Sequence, residues 1–397
     1  MRVEQTRYTE RFGSVRINEV QKVLELDSGG DNDLSATERI AVVKLSEEML
    51  RDYERKTLIV IPTKDEKLKL LEGVISGVPH DSVILVMSNS EQKKVDRFRM
   101  ESDTLEQYCH FTRRKAYIIH QKDPELARAL AEAGYKDILG EDGLIKNGKA
   151  EGMIASIFIA GMMNLKYIGF IDADNYFPGS VWEYCKCYAA GFAMARSSYA
   201  MVRILWRYKP KISEGMYFRK WGRISEITNR CMNSLLSARS GFETEIIKTS
   251  NAGEHAMSMK LAELLCYASR FAVEPQELIS IFESFGGVLP MACKSAANAG
   301  VELFQIETRN PHLHEEKGEE HLKDMLLPGL GTIYHSSLCE DVTKAKIIDE
   351  LLRYNALEPG EKPPLPQLCQ PPKIINKKKF KAIMEERMAL YSTLEEH

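Results

Sequence analysis

The stretch Tyr167–Gly179, YIGFIDADNYFPG, limits what this chain can fold into more than any other. Tyr167, Ile168, Gly169, Phe170 and Ile171 form a mostly apolar run without alternation, and Asn175, Pro178 and Gly179 then break it. Such a run, bounded by turn formers, predicts a strand buried on both faces. Asp172 and Asp174 fall at its end, and open α/β sheets bind ligands outside the carboxyl ends of their strands. Hard divalent cations take carboxylate oxygens and can bridge them to the phosphates of a nucleotide. Without a cation, repulsion opposes ionising both groups. A D-x-D alone is a weak signal in a chain with 57 acidic residues, and most such pairs sit on solvated loops. Its position after a buried strand gives this one weight.

Neighbouring segments supply the rest of a sheet. Leu58–Ile61, Ser82–Met87 and Lys115–His120 read as strands, and each ends in a polar cluster: PTKDE, SNS and QKDP. Helical spacing follows each of them, over Lys67–Ile75, Lys94–His110 and Glu125–Ala133. Three strand–helix units in succession predict a Rossmann-like sheet with the polar clusters gathered at one edge. After the loop Gly134–Gly148, the segment Gly143–Met153 (GLIKNGKAEGM) opens the helix that leads into the DAD strand. Glycines and lysines at a helix start suit phosphate oxygens. The spacing is not that of a Walker loop, and a solvated loop has the same composition.

Further on, Gly179–Ala195 reads as a helix and Met201–Trp206 as a strand. Residues 217–230 (YFRKWGRISEITNR) interleave basic and aromatic side chains, a pattern suited to an anionic substrate or equally to a solvated helix face. NAGEHAM at 251–257 places Glu254 and His255 before a helical pattern over Ser258–Tyr267, so a helix start is expected there. Val301–Ile306 reads as a strand leading to a loop with His312 and His314, either of which could reach a metal or lie on the surface. Glu358–Lys373 is a Pro-rich connector, and Lys377–Glu396 is expected to be a polar, peripheral helix.

With 397 residues, one large domain or two is the natural expectation. Net charge is −3, so no global basic field argues for nucleic acid. The eight cysteines show no C-x-x-C, and Cys185 and Cys187 read as reduced core thiols. The start lacks an apolar signal segment, and the longest apolar run, Met153–Asn164, is too short to span a membrane. A cytoplasmic protein without nucleic-acid or membrane partners is expected.

The segments VIPTKDEKLKLLEGV, SNS, HQKDP, GLIKNGKAEGM, GFIDADNYFPG, VRILWRYKPK, YFRKWGRISEITN, NAGEHAM, VEPQEL and FQIETRNPHLHE, in this order, resemble those of the mannosyl-3-phosphoglycerate synthases, retaining glycosyltransferases of GT-A fold. The resemblance weakens before Asn32, around Met291–Ala297 and after Cys339. It implies an α/β chain with a GT-A (Rossmann-like) mixed sheet flanked by helices and a mainly helical C-terminal extension. Residues 1–290 would form the glycosyltransferase domain, and 291–397 a C-terminal part supplying a metal or acceptor loop at 301–320. The implied reaction moves mannose from GDP-mannose to 3-phosphoglycerate, on the way to the compatible solute mannosylglycerate.

By the same resemblance, Pro62, Thr63, Lys64, Glu66, Ser88, Asn89, Gln121 and Lys122 would surround the guanosine, and Lys149 would lie near the diphosphate. Asp172 would lie near the donor ribose, and Ala173 would also belong to the nucleotide-sugar site. Asp174 would hold a divalent ion (Mg2+, Mn2+ or Co2+, with Zn2+ an alternative), helped by His312 or His314. Asp172, Asp174 and Glu254 are the catalytic candidates. Arg203, Lys209, Arg223, Asn251 and Gly143 are the acceptor candidates. A homodimer is the expected assembly. Two other readings share parts of this pattern. A sugar-1-phosphate nucleotidyltransferase has the same sheet but usually opens with a Gly-rich basic loop where this chain has PTKDE. A non-catalytic sugar-nucleotide sensor would bind donor without turnover.

Overall fold

A computed structural model describes residues 1–26, 42–175, 177–206, 210–213, 216–219, 223–313 and 319–392. Lys209 and His314 lie outside them, as does Ser28–Leu34 (SGGDNDL), which its composition marks as a loop.

The strands, in chain order, begin with β1 (Arg2–Glu4), β2 (Thr9–Phe12), β3 (Val15–Glu25), β4 (Val42–Lys44) and β5 (Thr57–Thr63). They continue with β6 (Val83–Ser88), β7 (Ala116–His120), β8 (Tyr167–Phe170) and β9 (Ala200–Trp206). A small hairpin, β10 (Pro210–Ser213) with β11 (Met216–Arg219), is followed by β12 (His255–Ser258), β13 (Tyr267–Ala268), β14 (Val301–Thr308) and β15 (Leu368–Cys369). Among the described residues one sheet of eleven strands runs β4-β1-β3-β14-β9-β12-β8-β5-β6-β7, with β2 beside β3. Strands β7, β6, β5 and β8 are mutually parallel, as their continuous aliphatic runs require. Strand β12 is antiparallel to both of its neighbours, which makes the sheet mixed.

Helices cover both faces. On one face Leu50, Leu71, Leu105 and Val181, from four helices, pack on Ile59, Ile61, Ile84 and Val86. On the other, Lys149–Met162 is buried on nearly all sides from Ala150 to Ala160, which is why its sequence is apolar all round. Gly152 in that helix is a close-approach point: a Cβ there would come within 2.9 Å of Gln121 and 3.0 Å of Met87.

Several elements differ from expectation. By pattern Val15–Leu26 suits a short strand or a helix; Val15–Glu25 forms the long strand β3. The helical pattern over Ser258–Tyr267 yields only the single turn Met259–Ala262, because strands β12 and β13 claim its ends. The segment Lys377–Leu390 is helical but not peripheral, since Phe380, Met384 and Met388 are buried in the core and Tyr391 bonds back to Ile118. Strand β14 sits between β3 and β9 near the middle of the sheet, so the C-terminal part from 291 shares the main sheet. All eight cysteines are free thiols. No helix among the described residues is long and apolar enough to cross a membrane.

Candidate active site

The parallel strands set the first half of the site. Register pairs Thr63 with Ser88 and Ser88 with His120, so Pro62–Glu66, Ser88–Asn89 and Gln121–Lys122 leave one edge together. Val60 pairs with Phe170, which sends Asp172 and Asp174 out at the same edge. Antiparallel β12 arrives there from the other direction. His255 opposes Phe170 on one side and Arg203 on the other, so Gly253 and Glu254 enter beside the DAD turn. The GEH segment therefore opens a strand and not a helix, and its carboxylate reaches the aspartates by strand register.

At that junction Lys149 Nζ lies 2.6 Å from Asp172 Oδ1 and 3.0 Å from Glu274 Oε1. Burial works against the ammonium, but Asp172 and Glu274 outweigh it and hold its pKa well above the ordinary lysine range. Lys149 therefore orients Asp172 directly. Asn175 donates from Nδ2 to the Asp172 carbonyl (2.9 Å) and to Glu254 Oε1 (3.0 Å). Glu254 is fully buried, and its Oε2 and the Oδ1 of Asn175 find no partner among the described residues. Burial first, then the charges of Asp172 and Asp174, push the Glu254 carboxyl up to about 8 against the pull of Asn175 and Lys149. A cation in this cluster is the counter-charge that would let Glu254 ionise, so the donor set fits a hard divalent ion.

His312 follows the end of β14 and packs against the helix that the DAD turn leads into. Its ring stacks on Trp206 with centroids 4.2 Å apart, and Nδ1 lies 3.2 Å from the Tyr184 hydroxyl. Glu183 caps the turn by accepting from the backbone N–H groups of Arg309 and Asn310. Ser180 Oγ donates to the Pro311 carbonyl. Tyr184, Glu183 and Ser180 all come from Pro178–Met194, the helix that the DAD turn leads into, while Trp206 ends β9. Among the described residues no three His, Cys, Asp or Glu side chains form a ready metal cage.

Other expected site residues divide clearly. Lys64 is exposed, Pro62, Glu66, Asn89 and Lys122 are half-buried, and all five line the edge. Thr63 is buried, and its Oγ1 has no partner among the described residues. Gln121 instead holds the Gly/Lys loop, donating from Nε2 to the carbonyls of Lys146 and Gly148. Ser88 is fully enclosed and spends its hydroxyl on Glu101, so it does not face a nucleoside. Ala173 is buried, and Gly143 lies on an exposed turn at positive φ.

Arg203, expected to bind acceptor, is wholly buried. Its guanidinium donates to Glu277 Oε2 (3.0 Å) and to the carbonyls of Thr249, Ser250 and Glu274. It holds the 249–254 loop from beneath, so it is removed from the acceptor set. His255 Nε2 meets the other oxygen of Glu277 at 3.0 Å. Asn251 is buried with Oδ1 unpartnered among the described residues, and it borders a groove of about 760 Å³. Trp206, Ala252, Asn229 and Glu307 also line that groove. Arg223 begins the helix Arg223–Ser240 whose Ser225 and Asn229 face it.

Sequence reasoning missed Glu274, Glu277, Asn175, Trp206 and Tyr184. A signal for the first two existed: Glu274 and Glu277, three residues apart, share a face of the helix Val273–Phe285 among large apolar residues such as Leu278, Ile279 and Ile281, and buried charges need partners.

A family model described as mannosyl-3-phosphoglycerate synthase matches residues 5–384. The mannosyl-3-phosphoglycerate synthase of Pyrococcus furiosus is 42% identical over 387 residues, covering 97% of each chain. That of Aeropyrum pernix is 38% identical over 384 residues, covering 96% of this chain and 97% of its own. Among solved structures, the glucosyl-3-phosphoglycerate synthase of Mycobacterium tuberculosis with Mn2+, UDP-glucose and glycerol 3-phosphate superposes with a TM-score of 0.51 at 16% identity, over 84% of this chain and 96% of its own. The same enzyme with Mn2+, UDP and phosphoglyceric acid gives 0.50, over 82% and 94%. These likenesses support the GT-A mixed sheet expected from the sequence. The sheet edge, the DAD turn and a match along nearly the whole chain lead to one conclusion: this chain belongs to the mannosyl-3-phosphoglycerate synthase family of glycosyltransferases.

Proposed function

We propose that the chain transfers mannose from GDP-mannose to 3-phosphoglycerate with retention at the anomeric carbon, releasing GDP. The observation that carries this is the meeting of Asp172, Asp174, Glu254 and Lys149 at the edge where β5, β6 and β7 deliver their polar loops. A divalent ion would supply Lewis-acid stabilisation of the charge that collects on the departing diphosphate. Asp174 and His312 are the residues proposed to hold it, with His314 the further candidate.

The chain's own groups do the rest. Lys149 and Glu274 fix Asp172 where the donor sugar and ribose enter. Glu254, its carboxyl pushed up by burial and by the aspartates, sits beside them tied to the DAD turn through Asn175. A retaining transfer brings the acceptor hydroxyl to the face that GDP leaves, so the departing phosphate oxygen takes its proton and no strong enzymic base is required. The groove beside Asn251 and Trp206 is assigned to phosphoglycerate, with Arg223 at the start of the helix that borders it. A helix start and an arginine both favour a dianionic phosphate. The proposal extends to a homodimer, which light scattering would reveal.

The test is a panel of sugar nucleotides incubated with 3-phosphoglycerate and a divalent ion, with product anomer read by NMR. An α-mannoside from GDP-mannose is expected. A β-product, or release of pyrophosphate from GTP and mannose 1-phosphate, would overturn the reading.

A further inference from the structure

Glu101 is an internal carboxylate that the transfer reaction does not use. It lies on the helix Arg97–Thr112, is 0% exposed, and stands away from the Asp172 cluster under the loops that follow β5 and β6. Ser88 Oγ donates to its Oε2 and Ser90 Oγ to its Oε1, each at 2.6 Å. Burial raises its pKa, opposed by the two serine hydroxyls and by Arg97. A buried carboxyl group held by two hydroxyls is an expensive way to pack a helix on a sheet. The geometry shows what it organises.

Both serine hydroxyls also accept. Ser90 N–H donates to Ser88 Oγ at 3.2 Å, and Asp65 N–H donates to Ser90 Oγ at 2.7 Å. Because each hydroxyl has one proton, giving it to Glu101 leaves the oxygen lone pairs turned to those backbone donors. Asp65 sits at a φ of 55°, a conformation that non-glycine residues rarely hold without outside bonds. Its Oδ1 accepts from Glu91 N–H at 2.9 Å, and Thr63 O accepts from Asn89 N–H at 2.8 Å. Arg97, from the same helix, donates to the Glu66 carbonyl at 2.6 Å. The helix thus grips the 63–66 loop and the 88–91 loop together, and Glu101 sets the direction of every hydroxyl bond between them.

We propose that Glu101 is a positioning residue for the nucleoside end of the donor, acting through Ser88 and Ser90 on the loops that carry Lys64, Glu66 and Asn89. The inference rests on the reading of this edge as the sugar-nucleotide site. Glu101→Gln keeps the shape but offers one acceptor oxygen for two hydroxyls, so one serine must turn its proton away and re-aim the oxygen that its backbone partner donates to.

The test is calorimetric titration of wild type, Glu101→Gln and Ser90→Ala with GDP-mannose, GDP-glucose and UDP-glucose, alongside steady-state kinetics and melting curves. Whichever nucleotide wild type binds should bind Glu101→Gln about tenfold more weakly, the usual effect of losing a hydrogen bond to a charged group. The donor KM should rise with it, while the phosphoglycerate KM and kcat stay within about twofold. Ser90→Ala should show the same selective loss, and it supplies the answer if Glu101→Gln does not fold. Unchanged donor affinity in the folded variants, with only a lower melting temperature, would overturn the proposal, as would equal loss of donor and acceptor binding. If wild type prefers UDP-glucose, the donor assignment falls, whereas the variant ratio for that nucleotide still decides the role of Glu101. If wild type binds none of the three, both fall.

Discussion

Asn175 donates its side-chain amide to Glu254 Oε1 across 3.0 Å, and so ties the DAD turn to a strand 79 residues further along the chain. The bond joins a parallel strand's exit to an antiparallel strand's entry, and it makes the two aspartates and the buried glutamate one electrostatic unit.

Charge in that unit predicts dependence on a divalent ion. Excess chelator should abolish turnover, and Asp174→Asn should do the same without lowering the melting temperature. His312→Ala should raise the metal concentration for half-maximal rate by at least about tenfold. His80→Ala, at an exposed site, should leave it unchanged. Full activity in EDTA, or a normal metal titration for His312→Ala, would remove the assigned ligands.

Gly253 should tolerate no side chain. A Cβ there would meet Asp172 Oδ2 at 2.7 Å and come within 3.5 Å of Lys149 Nζ. Gly253→Ala is expected to displace the Asp172 carboxylate and reduce kcat by roughly a hundredfold, the effect of misplacing a reacting group by about 1 Å. Its urea midpoint should stay near that of wild type. Wild-type kcat in this variant would mean that Asp172 need not hold its observed position.

Arg203 is a structural cation, so Arg203→Met should leave the Glu277 carboxylate buried without the guanidinium, with only the His255 imidazole still beside it. The expected loss is about 3–5 kcal/mol of stability by urea denaturation, since breaking a buried pair strands a charge. A stable variant with a selectively raised phosphoglycerate KM would restore Arg203 to the acceptor pocket.

His120 supplies a pH dependence separate from that of the Asp172–Glu254 cluster. Its Nε2–H donates to the Ser90 carbonyl at 3.0 Å, and Nδ1 accepts from Lys122 N–H at 3.2 Å. Burial lowers its pKa below the ordinary 6.5 of the unfolded chain. The unfolded chain therefore binds the extra proton first, so this contribution is present above pH 6.5 and is lost as pH falls below it. Between pH 7.5 and 5.5 the melting temperature of wild type should drop more than that of His120→Gln. Parallel pH profiles for the two proteins would contradict this.

The sequence alone determined the parallel core and the identity of its chemical edge. Unalternated aliphatic runs such as Leu58–Ile61 and Tyr167–Ile171 have no amphipathic choice, and the polar residues after each must exit together once the strands are parallel. Local pattern also carried the helices from Leu68 to Met194. It failed where long-range pairing overrode it. The GEH segment looks like a helix start until β8 and β9 claim it as a strand between them, and the helix at Lys377–Leu390 looks solvated until Phe380 and Met384 find the core. Partnership was equally invisible. Nothing in the spacing of Lys149, Asp172 and Glu274 says that they touch, because their contact depends on strand register and helix packing over more than a hundred residues. Only the tertiary structure decided that Arg203 faces Glu277 and not a substrate, because burial belongs to the assembled sheet and not to any one segment.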